Sequence, residues 1–190
     1  LGIAALAVCM PLLAHAHAES GAATGLLSGL AHPVSGLDHV LAMVAVGLWG
    51  AQLGRPAIWL LPVTFPLVMA FGGFIGLIGI PLPGVEVGIA VSAIALGLMV
   101  AVAARPPLWV AAALVALFAV FHGHAHGTEV PDAASGVLYS VGFVVATGCL
   151  HAVGIAIGLV HRWPLGRAVV RVAGAAVLLA GGGFLWRALA

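Results

Sequence analysis

The stretch His32–Gly54, HPVSGLDHVLAMVAVGLWGAQLG, joins two chemistries that rarely share one segment. Its first eight residues hold two imidazoles and a carboxylate, His32, Asp38 and His39; the remainder is almost wholly apolar. The apolar part, residues 36–54, is close to the ~20 residues that a helix needs to cross a bilayer. Five more stretches of the same kind follow, at 57–80, 85–104, 107–124, 135–160 and 167–188. The connections between them carry helix-ending residues: Gly54-Arg55-Pro56, Pro81-Leu82-Pro83-Gly84, Arg105-Pro106-Pro107, Pro131 and Pro164. At this hydrophobicity only helices satisfy their own backbone in lipid, and the alternating pattern of a membrane barrel is missing. The expected fold is therefore all-α, a polytopic transmembrane helical bundle of six spans.

Composition agrees. Of 190 residues, 64% are hydrophobic and 6% charged, against about 25% charged in a soluble domain. Such a chain has too little polar surface to cover a water-soluble globule, so its first partner is the lipid bilayer. Net charge is +1 with no basic tract, which excludes nucleic acid as a partner. All six basic residues are arginine, so the lysine-dependent phosphate loop of ATPases is ruled out in this chain, and nothing in it implies an ATPase subunit. Oligomeric state is left open, a homo-oligomer included. Cys9 and Cys149 suggest no disulfide framework.

Residues 1–16, LGIAALAVCMPLLAHA, have a short apolar core ending in Ala14-His15-Ala16, the pattern that closes a cleavable signal peptide. The alternative is an ordinary first membrane helix. Cleavage after Ala16 would leave residues 17–190 as a single six-helix domain, with His17 at a mature terminus outside the inner membrane. His17 could then add an amine and an imidazole for metal capture. Cleavage two residues earlier would instead expose His15-Ala16-His17. Residues 20–31 read as a short interfacial or re-entrant helix.

With the mature terminus outside, Arg55, Arg105, Arg162, Arg167 and Arg171 fall on the cytoplasmic side and Arg187 alone outside. That matches the positive-inside rule. The same topology gathers Glu19, Asp38, Glu86, Glu129 and Asp132 at the outer face, together with His17, His32, His39, His122, His124 and His126. Glycine spacings such as Gly72/Gly76 and Gly154/Gly158 suit close helix packing.

Nine histidines in so apolar a chain need a reason. Ser35-x-x-Asp38 before the apolar run reads as a capping box with Ser35 as the N-cap, which would account for Asp38 but not for His32 or His39. On one straight helix His32 and His39 would stand about 10 Å apart, so a bend near Pro33 is expected to bring His32 back. In FHGHAHGTEVPD, residues 121–132, His122 and His126 are four apart and share a helix face, as in i, i+4 zinc pairs; His124 points elsewhere unless the helix ends at Gly123. Glu129 follows. A solvated histidine-rich loop is the plainer alternative. Glu86, opening the third span, serves either the helix dipole or a metal. His151, within the fifth, serves either a helix–helix hydrogen bond or an inner relay. Mixed imidazole and carboxylate donors without thiolates suit nickel, cobalt or zinc.

These segments resemble the HupE/UreJ nickel permeases found beside bacterial hydrogenase and urease systems. The resemblance rests on HPVSGLDH, on Phe65-x-x-x-Met69 with Gly72 and Gly76, on VEVGIAVSAIALG (85–97), on FHGHAHGTE (121–129) and on GCLHAVGIAIG (148–158). It implies metal-handling roles for His32, Asp38, His39, Glu86, His126 and Glu129, and a transport role for Phe65. His122 and His124 match the general look of the fourth-span motif. The H-x5-D-H spacing is one residue longer than the signature of the separate nickel/cobalt permeases. The expected function is inner-membrane uptake of Ni2+, with Co2+ or Zn2+ as substitutes, through an outer histidine and carboxylate site and with no permanently bound cofactor. The enzymatic alternative is an intramembrane zinc hydrolase using the same ligands; no H-E-x-x-H signature supports it.

Overall fold

The computed structural model describes residues 22–129 and 136–190. The leader 1–16, His17, Glu19, Pro131 and Asp132 lie outside the described residues. Seven α-helices follow in order: α1 Ala22–Ser35, α2 Leu37–Leu53, α3 Ala57–Leu77, α4 Val85–Ala101, α5 Leu108–Thr128, α6 Gly136–Gly158 and α7 Pro164–Leu189, with a short 3-10 turn at Leu159–Arg162 before α7. No strand occurs among the described residues.

All six apolar stretches become helices, but they are not six equal spans. Helices α3, α5, α6 with its 3-10 extension, and α7 are long and apolar enough to cross a membrane. A fifth span arises only if α1 and α2, bent by 82° against each other, are taken as one. Helix α4 has 17 residues and a length of about 25 Å, short of the ~30 Å hydrocarbon core. Its limits are local: Gly84 precedes it at φ 72° and Ala103 ends it at φ 53°, ahead of Pro106 and Pro107.

The turn from α1 to α2 corrects the expected cap. Ser35 belongs to α1, where its hydroxyl donates to the His32 carbonyl at 2.7 Å, a bond to the preceding turn that a helical serine readily makes. Gly36 is the N-cap of α2, with no side-chain cap. Asp38 instead accepts the His39 backbone N–H at 2.8 Å.

Helix α2 is the axis of the bundle, packed against α3, α4, α6 and α7. Residues Ala42, Met43, Ala45, Val46 and Trp49 are fully buried, as expected of a helix apolar on every side. Helix α3 shows the opposite case: Phe65 and Leu61 face inward while Trp59, Leu67, Phe71 and Phe74 are exposed. An exposed apolar belt of this size is what lipid covers, and water-soluble monomers rarely carry one.

Glycines let the backbones touch. A methyl at Gly72 would run into the Val120 carbonyl, one at Gly76 into the His124 carbonyl and one at Gly123 into the Met69 carbonyl, so α3 and α5 are nearly in backbone contact. Gly154 meets Val44 and Gly47 of α2, and Gly158 meets Leu48 and Ala51. Gly123→Ala gains about 1 kcal/mol in helix propensity but meets rigid backbone, an overpacking cost of about 1–3 kcal/mol. We expect lower thermal stability in detergent for Gly123→Ala. Gly183→Ala, whose added methyl meets nothing within 4 Å, should leave stability unchanged or raised.

The helices alternate in direction, so the connections sort into two ends. One end holds Arg55, Arg105, Arg162 and Arg167, with Arg171 donating to the Ala101 carbonyl at 2.7 Å. The other holds His32, Asp38, His39, Glu86, His126, Glu129 and Arg187. The charge segregation expected from the connections is thus present in three dimensions.

Candidate metal pathway

The bend between α1 and α2 does what the spacing required. It turns His32 across the bundle end, where its Nε2 lies 3.0 Å from Glu129 Oε2, 97 positions away in sequence. His126, a turn before Glu129 on α5, completes a group whose ligand atoms all lie within 4.8 Å of one another: His32, His126 and Glu129. Their exposure grades inward, with Glu129 exposed, His32 half-buried and His126 buried. Tyr139 and Phe143 of α6 wall this group, the Phe143 ring 4.4 Å from His126 and the Tyr139 ring 5.8 Å from His32. Neither was singled out in the sequence, where an aromatic on an apolar helix reads as core.

Deeper in, the His39 ring stands 4.3 Å from His126 and 4.7 Å from His122. Asp38 Oδ1 lies 2.9 Å from His39 Nδ1. A carboxylate accepts, so Nδ1 carries the proton and Nε2 keeps its lone pair; that nitrogen is buried and without a partner. His122 repeats the design. The Ser92 hydroxyl donates to the Ile89 carbonyl at 2.6 Å and so accepts from His122 Nε2 at 2.8 Å. This leaves His122 Nδ1 buried with a free lone pair. His126 has no partner on either nitrogen.

Buried polar nitrogens left unpaired cost about 1–3 kcal/mol each, so several of them on neighbouring rings mark a place built for something other than stability. Fixing one imidazole nitrogen so that the other is free is how proteins prepare histidine for a metal. Ser92 escaped notice in the sequence because a serine bonded to its own helix is common and carries no signal. Ser92→Ala is expected to weaken metal binding about 10-fold to 100-fold with the fold intact, measured by titration of the purified protein with Ni2+.

The remaining candidates take separate places. Glu86 does not join the histidines; it shares a cavity of about 380 Å³ with Leu37, Asp38 and Arg187 on the other side of the α2 start. Asp38 therefore stands between that cavity and His39. His124 faces away: α5 runs on to Thr128, so His124 turns to the α3–α4 connection, its Nε2 2.8 Å from the Ile80 carbonyl. His122 and His126 share a face as expected, with the His39 ring against both of them. Phe65 is fully buried and its ring lies 5.4 Å from both His122 and His151. It closes the inner side of the histidine series.

Comparison with known proteins settles the lineage. Residues 3–184 match the family described as HupE / UreJ protein. The chain belongs to the HupE/UreJ family. It is 49% identical over 179 residues to Protein HupE of Rhizobium leguminosarum bv. viciae, covering 94% of this chain and 93% of that one. No solved structure matches. The HupE/UreJ match extends over every helix that carries a candidate ligand, so this histidine series lies wholly within the shared region.

Proposed function

We propose that this protein carries Ni2+, with Co2+ as the nearest substitute, inward across the bacterial inner membrane, supplying a hydrogenase or urease. The observation that carries the reading is the graded series of donors, from exposed Glu129 and half-buried His32 through His126 and His39 to fully buried His122, the last three with ring nitrogens left unpaired. Six crossings, with α1 and α2 acting as one broken span and the short α4 as another, fit a topology in which the histidine end faces the periplasm and the arginine end the cytoplasm.

The steps follow from the residues. Glu129, Glu86 and Asp38 lower the cost of bringing a divalent cation to the bilayer surface. The ion exchanges waters for His32, His126 and Glu129, then moves to the lone pairs of His39 and His122. Neighbouring sites of similar strength let an ion bind well enough to dehydrate yet leave again. Imidazole and carboxylate donors favour nickel, cobalt and zinc over magnesium or calcium. Phe65 acts as an apolar constriction, keeping water and protons from following the ion. We take the role to be conduction rather than hydrolysis.

The test is reconstitution of the purified chain in liposomes enclosing a metal-sensitive dye. Saturable Ni2+ entry, inhibited by Co2+ and indifferent to Mg2+, is the expected result. Entry no faster than in protein-free liposomes would reject the reading.

A further inference from the structure

Beyond Phe65 the line of polar groups continues. His151 of α6 is 1% exposed and neither of its ring nitrogens has a hydrogen-bond partner. Thr147, four residues earlier and so on the same helix face, is 0% exposed, and its hydroxyl is also unpartnered. A membrane histidine or threonine retained only to tie helices together would use those atoms on a neighbouring helix; these do not. A third donor comes from α3. Pro62 and Pro66 both lie inside that helix. Pro66 has no N–H to give to the residue four before it, so the Pro62 carbonyl is released from the helical ladder. That carbonyl lies near enough to the His151 ring to act on it electrostatically, although no hydrogen bond of good geometry joins them.

We infer that the His151 imidazole and the Pro62 carbonyl form an inner ligand site, with the Thr147 hydroxyl one turn nearer the outer end, that receives the divalent ion after it passes Phe65, whose ring lies 5.4 Å from His151, and releases it toward the arginine-rich end. The inference rests on the permeation reading above. His151 lies about 10 Å along α6 from Gly158 and about 22 Å from Gly136, which sets it in the inner half of that helix. One nitrogen and one oxygen, both neutral, give a borderline ion a foothold without a counter-charge. Such a site holds the ion more weakly than the outer group with its carboxylate, which lets it release the ion instead of trapping it. The proline pair thus has a use beyond bending: it frees an oxygen where the pathway needs one.

The experiment measures Ni2+ in two ways on full-length protein, by entry into liposomes and by equilibrium titration of the outer group in detergent. His151→Leu should lower entry at least about tenfold, the scale of losing a metal-site contact, while outer-group affinity stays within about twofold. His151→Cys, made with exposed Cys149 changed to serine, should carry Cd2+ faster than His151→Leu, because a thiolate prefers the softer ion. Should the leucine variant fail to insert, the Cd2+ preference of the cysteine variant over its Cys149→Ser parent decides. Undiminished Ni2+ entry through His151→Leu, loss of outer-group affinity together with entry, or a cysteine variant with no gain for Cd2+ would each overturn the inner site. A parent protein without saturable entry would remove the permeation reading itself, a separate failure.

Discussion

Replacing His126 by leucine is expected to lower 63Ni accumulation by nickel-starved cells on the order of 100-fold, while the protein still reaches the membrane in normal amount. His126 is the junction of the pathway: it belongs to the three-ligand group with His32 and Glu129 and touches the His39 ring at 4.3 Å. Removing it takes a donor from the outer group and breaks the step to His39, so two stages fail together; loss of a single supporting contact to a metal site already costs about 10-fold to 100-fold. Stability should move the other way. Both nitrogens of His126 are buried without partners, each costing about 1–3 kcal/mol, and leucine keeps most of the packing against Phe143. Thermal unfolding in detergent should therefore be unchanged or shifted upward. A large fall in both uptake and stability would mean that His126 serves the fold.

Asp38→Asn is the second large effect, for a different reason. Asparagine preserves volume and removes charge. Its amide oxygen can still accept from the His39 backbone N–H and from Nδ1, as the carboxylate does at 2.8 and 2.9 Å, but a neutral acceptor holds that ring proton more weakly than a charged one and offers no charge to the approaching ion. The same change removes one of the two acids bordering the 380 Å³ cavity with Arg187. Uptake should fall at least about tenfold, with most of the loss in apparent affinity. Asp38→Glu, which retains the charge, should recover part of it. Equal uptake by the asparagine variant and the parent would show that the Asp38 charge does not matter.

Much of this was legible in the chain, and particular residues show where legibility stopped. The helices follow from length, hydropathy and the proline-rich connections, and the separation of Arg55, Arg105, Arg162 and Arg167 from His32, His39, His122 and His126 follows from alternating direction alone. A bend near Pro33 was expected because His32 and His39 needed one. Its location at Gly36, and the demotion of Ser35 from cap to helix member, depend on how α1 docks on α6 through Gly29 and Gly142, which no local pattern encodes. The same holds for the pairing of His32 with Glu129, and for Ser92, whose bond to His122 exists only because α4 packs on α5. Phe65 entered the sequence reading through family resemblance without a physical reason. Its rank between His122 and His151 supplies one, and that rank is a property of three helices at once.

X-ray absorption at the nickel edge, on the purified full-length protein loaded with one equivalent of Ni2+, tests the central claim most directly. Bound nickel should show nitrogen and oxygen donors with the multiple-scattering pattern of at least two imidazoles, and His126→Leu should remove one of them. Nickel surrounded by oxygen alone, or a spectrum identical in His126→Leu, would contradict the account.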